Sequence, residues 1–273
     1  MAIIAISRGT FSGGEALARR LAERLGYQCI SREVILQAAW GYGVPAEELT
    51  AAMEKPPWLW ERLFGERAAY LTFVRAALCE HARGGKVVYH GHLGHLLLPG
   101  ISHVIGVRVI ADMEFRIKAA MQQQNLARED AIAYIEKVDK ERRLWTRLLY
   151  DVEWDDPSLY DVVLNLSRMR LATACEMVAH MTEQEEFKPT PESVKAMQDL
   201  TLHSRVLAAL VKDFRTRGAD LRVTADDGIV TITGTTQLPA VVDLVPSVVR
   251  QVEGVKEVRS EVTTVIPVPF AGI

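Results

Sequence analysis

Ile3, Ile4, Ala5 and Ile6 stand side by side, and polar Ser7 and Arg8 follow them. So short a continuous apolar run reads as a strand buried on both faces. Gly9, Ser12, Gly13 and Gly14 then make a turn, and the apolar spacing becomes helical at Leu17, Leu21 and Leu25, before Gly26. The pattern predicts a strand, a glycine-rich loop and a helix that Gly26 stops. Tyr27 to Ile30 reads as a second short strand, with Ser31 as the N-cap of a helix whose first turn holds Glu33.

The alternation continues to about residue 181. A helix is expected over 66–83, a buried strand over 86–91, a strand over 103–110 and a helix capped by Asp112 that carries Arg116 and Lys118. A long amphipathic helix follows over 127–150, with Ile132, Ile135 and Val138 at helical spacing. One more strand lies within 159–166, and a closing helix spans 171–181. This is the order of an α/β domain. Residues 41–65 break it, with Gly41, Gly43, Pro45, Pro56 and Pro57 among Trp58, Trp60 and Phe64. A mobile lid, a surface that meets another subunit and a packed helical excursion all fit that stretch.

Residues 182–196 are polar and punctuated by Pro189 and Pro191, and we take them as a linker after a first domain of residues 1–181. The pattern beyond is different. A helix over 202–216, a hairpin turning at Asp226-Asp227-Gly228, a helix over 238–251 and a last strand from Val255 make a small α+β unit of order αββαβ. We assign it residues 197–267, with a tail over 268–273. It gathers no nucleophile, base and acid, and reads as a binding or assembly module.

Composition narrows the partners. The chain has 273 residues, 49% hydrophobic and 25% charged, with a net charge of −3. With a pI near 6.2, no basic excess points to nucleic acid. Three isolated cysteines, Cys29, Cys79 and Cys175, fit a reducing compartment better than a disulfide framework. No secretory signal and no bilayer-spanning apolar run is legible, so a cytoplasmic location is expected.

A strand, a glycine loop and a helix N-terminus can cradle phosphate. The pattern G-x-x-x-x-G-K-[ST] is nevertheless broken. With Gly13 as its last glycine, the lysine position is Gly14, followed by Glu15 and Ala16. The cation for the phosphates and the hydroxyl for Mg²⁺ are both missing, and Arg8 is the candidate substitute for the charge. A plain strand–turn–helix start is the alternative. Arg32 sits where a second phosphate could be held, or is a solvated helix-start charge. His90, His92 and His95 at a strand end invite a metal reading, but no carboxylate or cysteine lies nearby in the sequence to complete a ligand set. The charged face of the 127–150 helix, with Lys137, Asp139, Lys140, Arg142, Arg143 and Arg147, is either solvated or a clamp over transferring phosphoryl groups.

Several of these segments resemble the cytidylate kinase-like family. They are Ile6-Ser7-Arg8 with Ser12-Gly13-Gly14, His95-Leu96-Leu97, Asp139-Lys140-Glu141-Arg142, and the run from Trp154-Asp155-Asp156-Pro157 to Asn165. The resemblance implies a parallel sheet flanked by helices, as in nucleoside monophosphate kinases, with a phosphate loop, a monophosphate region and an arginine-bearing lid. It implies ATP with Mg²⁺ as donor and a nucleoside monophosphate such as CMP as acceptor. Arg8, Asp139 and Arg142 would take part in transfer. Ser12, Gly13, Gly14, Glu15 and Arg143 would hold the donor, and Arg32 and His92 the acceptor. Phe11 stands where the family usually has glycine, and His92 where it usually has arginine. A degenerate kinase fold that senses a nucleotide or another anion is the competing reading.

Residues 227–234 and 252–258 resemble a BON domain. That resemblance implies a module for a small ligand, a lipid or a protein, and makes a second copy of the chain a candidate partner.

Overall fold

The computed structural model describes residues 1–35, 64–91 and 93–265. Most of the 41–65 stretch, His92 and the 268–273 tail lie outside the described residues.

Five strands form a parallel sheet in the order β2-β3-β1-β4-β5: β1 (Ile3–Arg8), β2 (Gln28–Ser31), β3 (Val87–Gly91), β4 (Val104–Ile110) and β5 (Val162–Asn165). β1 lies in the middle, pairing Ile4 with Val88 of β3 and with Ile105 of β4. Its three isoleucines have no exposed surface, which is why the opening run needs no polar alternation.

Each face of the sheet is covered by helices. Ile4 and Ile6 pack with Leu17 and Leu21 of α1 (Gly14–Leu25) and with Ala174 and Val178 of α5 (Leu171–Met181). Gly26 ends α1 in the left-handed region, φ 66°, as its position predicts. On the other face, Ile3, Ala5 and Tyr89 pack with Phe73 and Leu78 of α2 (Phe64–Ala82). Between β4 and β5 come α3 (Met113–Gln124), capped by the Asp112 carboxylate at 2.8 Å from the Phe115 N–H, and the long α4 (Arg128–Tyr150).

α6 (Pro191–Lys212) starts eleven residues before the expected helix. Thr190 and Ser193 form a reciprocal cap, at 3.1 Å and 2.9 Å, around Pro191. The N-terminal half looks polar in sequence, yet it places Ala196, Met197 and Leu200 against the α2 layer. The opposite side of the helix carries Leu202, Val206 and Leu210 into the core of the C-terminal unit. One helix thus belongs to two cores. Arg205 of α6 binds Glu80 of α2 with a bidentate pair from Nε and Nη2, and His103 meets Ser193 at 2.8 Å.

The C-terminal unit has the expected αββαβ order. β6 (Asp220–Asp226) and β7 (Ile229–Thr236) are antiparallel across Asp227 and Gly228, both at positive φ, the conformation of a tight two-residue hairpin. α7 (Pro239–Val249) crosses over to β8 (Glu257–Thr264), which runs parallel to β7. Among the described residues no helix is long and apolar enough to cross a membrane.

Candidate phosphate-binding site

β1 ends at Arg8, and the chain turns through residues 9–13 into α1. Gly13 adopts φ 88° immediately before the helix, with no side-chain cap. The first N–H groups of α1 therefore have no partner inside the helix, and they face an anion's usual position. The positive φ favours glycine here, and a Cβ on Gly13 would also press on the Leu166 side chain at 2.8 Å. Ser12 donates its hydroxyl to the Gly9 carbonyl at 2.9 Å and braces the turn. A cleft of about 510 Å³ opens here, lined by the loop from Arg8 to Ala16, by Gln123 and Gln124 of α3 and by Tyr134 and Arg142 of α4.

Arg8 and Gly14 explain the broken motif together. When Gly13 is the second glycine of G-x-x-x-x-G-K, the first falls on Arg8. A Cβ on Gly14 would lie 2.6 Å from Arg8 Cβ and 3.0 Å from its Cδ. The Arg8 side chain lies across the space that a residue-14 side chain needs. The usual glycine and lysine are exchanged for arginine and glycine, and the cation reaches the loop from the strand instead of from the helix. The Arg8 Nε is buried and has no hydrogen-bond partner among the described residues.

The α3–α4 pair is fastened over the loop through Thr10. Asp139 of α4 accepts from the Thr10 hydroxyl at 2.8 Å and the Thr10 N–H at 3.3 Å. Arg116 of α3 donates to the Thr10 carbonyl at 2.7 Å and pairs with Asp139. Arg142 donates to the Arg8 carbonyl at 3.1 Å and to the Thr10 hydroxyl at 3.0 Å. Burial, and then repulsion from Arg8, pushes the Arg142 guanidinium down to about 10, so it stays charged at neutral pH. Phe11 holds φ 58°, an uncommon angle for a bulky side chain, and its ring lies 6.0 Å from that of Tyr134. It packs on the small α3–α4 core of Ile117, Ala120, Ala131 and Ile135.

The candidate residues of the sequence separate into two groups. Arg8, Ser12, Gly13, Gly14, Asp139 and Arg142 converge on the loop, and Arg32 bears electrostatically on Arg142. Glu15 holds Arg19 at 2.9 Å in an exposed helix pair. Arg143 is turned away from the cleft toward Asp155, 3.8 Å distant, and Arg147 holds Glu153. His90 is buried at the end of β3, where burial and then Arg8 lower its pKa. Arg116 was legible only as a helix charge, because its partners Thr10 and Asp139 lie far from it in sequence.

The Trp154 to Asn165 run serves the sheet. Tyr160 donates to the Trp154 carbonyl at 2.8 Å, and Arg108 of β4 lies over both rings, 4.9 Å from Trp154 and 5.5 Å from Tyr160. Asp161 accepts from the Gly106 N–H at 2.6 Å, pinning β4 beside β5. The His95 ring lies tilted against that of Tyr160, 5.0 Å between centroids, and burial pushes its imidazole down to about 4.

The profile of the cytidylate kinase-like family matches residues 3–168, the whole of this sheet and its loop. The chain belongs to the cytidylate kinase-like family. A BON domain matches residues 198–265, which is the C-terminal unit with most of α6. Among solved structures, this kinase-like chain is similar to an uncharacterized protein from Eubacterium ventriosum, 18% identical, with a TM-score of 0.54 over 68% of this chain and 100% of the other. It aligns with TT1252 from Thermus thermophilus at 20% identity and a TM-score of 0.44, over 67% of this chain and 97% of that one. A shikimate kinase from Acinetobacter baumannii, in complex with shikimate, aligns at 13% identity and 0.37, over 69% and 96%. The first of these supports the fold. No curated protein matches the chain.

Proposed function

We propose that the cleft binds nucleotide phosphates and that Arg8 is the cation that receives them. The observation that carries this reading is the buried Arg8 Nε without a hydrogen-bond partner among the described residues, set beside the uncapped start of α1. A buried polar group without a partner costs free energy that an anion in the cleft would recover. ATP as donor and a nucleoside monophosphate such as CMP as acceptor follow from the family, with Arg142 on the lid side and Arg32 toward the acceptor.

Mg²⁺ does not fit the protein side of this site. Glu15 stands where the metal-binding hydroxyl belongs, and its carboxylate is engaged by Arg19. Asp139 is engaged by Arg116 and Thr10. That specific arrangement favours a second reading, a nucleotide or anion sensor with no phosphoryl transfer. The BON domain would then be the output side, taking a small ligand, a lipid or a protein. The isolated thiols suit a cytoplasmic setting.

The test is a thermal-shift and calorimetric titration with ATP, CMP and dCMP, each with and without Mg²⁺, followed by a phosphoryl-transfer assay on any pair that binds. Binding of ATP and one monophosphate with turnover supports the kinase. Binding of one nucleotide without turnover supports the sensor. Absence of binding by all of them rejects the cleft as a nucleotide site.

A further inference from the structure

The outer edge of β8 is unpaired among the described residues, because β8 ends the order β6-β7-β8. The strand is eight residues long and most of its side chains are exposed. At the opposite edge α6 packs against β6, and Lys195 pairs with Asp226 at its end. A long free edge is a template for another strand unless something covers it.

The side-chain order on β8 specifies what covers it. Val258 and Val262 pack into the domain core, so Ser260 between them shares their face. Glu257, Arg259 and Glu261 lie on the other face, where Arg259 and Glu257 pair at 2.7 Å. Two copies of the strand laid antiparallel about Ser260 bring Arg259 opposite Glu261 of the second copy, and the reverse by symmetry. Val258 then faces Val262 of the second copy, and Glu257 faces Thr263. Sliding the register by one step on the same face, in either direction, sets Arg259 against Arg259 or Glu261 against Glu261. A slip that changes faces sets valine against charge. Among the registers that overlap five or more residues of β8, this one alone is complementary in both charge and apolar contact.

We propose that two copies of this chain dimerise by antiparallel pairing of their β8 edges, with Ser260 on the twofold axis and the two BON sheets joined into one. Light scattering of the full chain at micromolar concentration gives a dimer on this proposal. Glu261→Arg sets like charges opposite each other on both sides of the axis, and gives a monomer with unchanged circular dichroism. Adding Arg259→Glu to it restores the opposite charges and the dimer. A monomeric native chain, a dimeric Glu261→Arg or a monomeric double variant overturns the proposal. If Glu261→Arg fails to fold, Ser260→Cys in a Cys29→Ser background decides instead, since the remaining Cys79 and Cys175 are buried. Directly opposed cysteines on paired strands are within disulfide reach, so mild oxidation yields a cross-linked dimer; its absence overturns the axis.

Discussion

Arg8 and Gly14 occupy one space between them: the Cβ that Gly14 lacks would fall 2.6 Å from Arg8 Cβ. With Arg8 in place, position 14 has room only for glycine. The cation at this loop therefore stands on β1 and not on α1.

The pair makes a direct prediction. Arg8→Ala weakens nucleotide binding in calorimetry by roughly tenfold or more, the scale of one charge-assisted contact. Arg19→Ala weakens it less, because Arg19 lines the cleft but is held by Glu15 in an exposed pair. Equal affinities for the two variants would remove Arg8 from the site. Arg8→Gly with Gly14→Lys returns the cation to the helix side and recovers the binding that Arg8→Gly alone loses.

Asp139→Ala leaves Arg116 buried without its carboxylate and strips Thr10 of its acceptor. Breaking one side of a buried ion pair costs about 3 kcal/mol. Chemical denaturation should show a loss of that order. A loss below about 1 kcal/mol would mean that the α3–α4 pair is not fastened through Asp139.

Phe11 separates backbone strain from packing. Phe11→Ala and Phe11→Gly both remove the ring from the α3–α4 core, but alanine keeps the penalty of a positive φ and glycine does not. The alanine variant is expected to be the less stable by about 1 kcal/mol. Equal denaturation midpoints for the two would show that the loop relaxes once the ring is gone.

His95 sets a pH dependence. Its imidazole falls from an ordinary value of 6.5 to about 4 in the fold, chiefly by burial against the Tyr160 side of the sheet. The unfolded chain therefore binds the proton first, and stability declines as pH falls from about 6.5 toward about 4, then levels off. The full loss is about 3 kcal/mol. His95→Gln should flatten that limb in denaturation curves taken across the window. An unchanged limb would assign the acid sensitivity to other groups.

Local pattern carried most of the architecture. The isoleucine run of β1, the glycine turn, the leucine spacing of α1 and the Asp227-Gly228 hairpin are decided by neighbours in sequence, so they were readable directly. The start of α6 was not. Its first half is polar enough to pass for a linker, and it is helical because Ala196, Met197 and Leu200 find the α2 layer.

The chemistry of the loop divides the same way. The sequence by itself determined that a strand, a phosphate-type loop and a helix open the chain, that the lysine and hydroxyl are absent, and that Arg8 is the nearest cation. Tertiary structure decided the rest. It laid Arg8 across Gly14, brought Arg116 and Asp139 onto Thr10, and turned Arg143 away to Asp155. Thr10 and Asp139 are 129 positions apart. A contact over that distance depends on how the sheet and helices pack, and no periodicity along the chain encodes it.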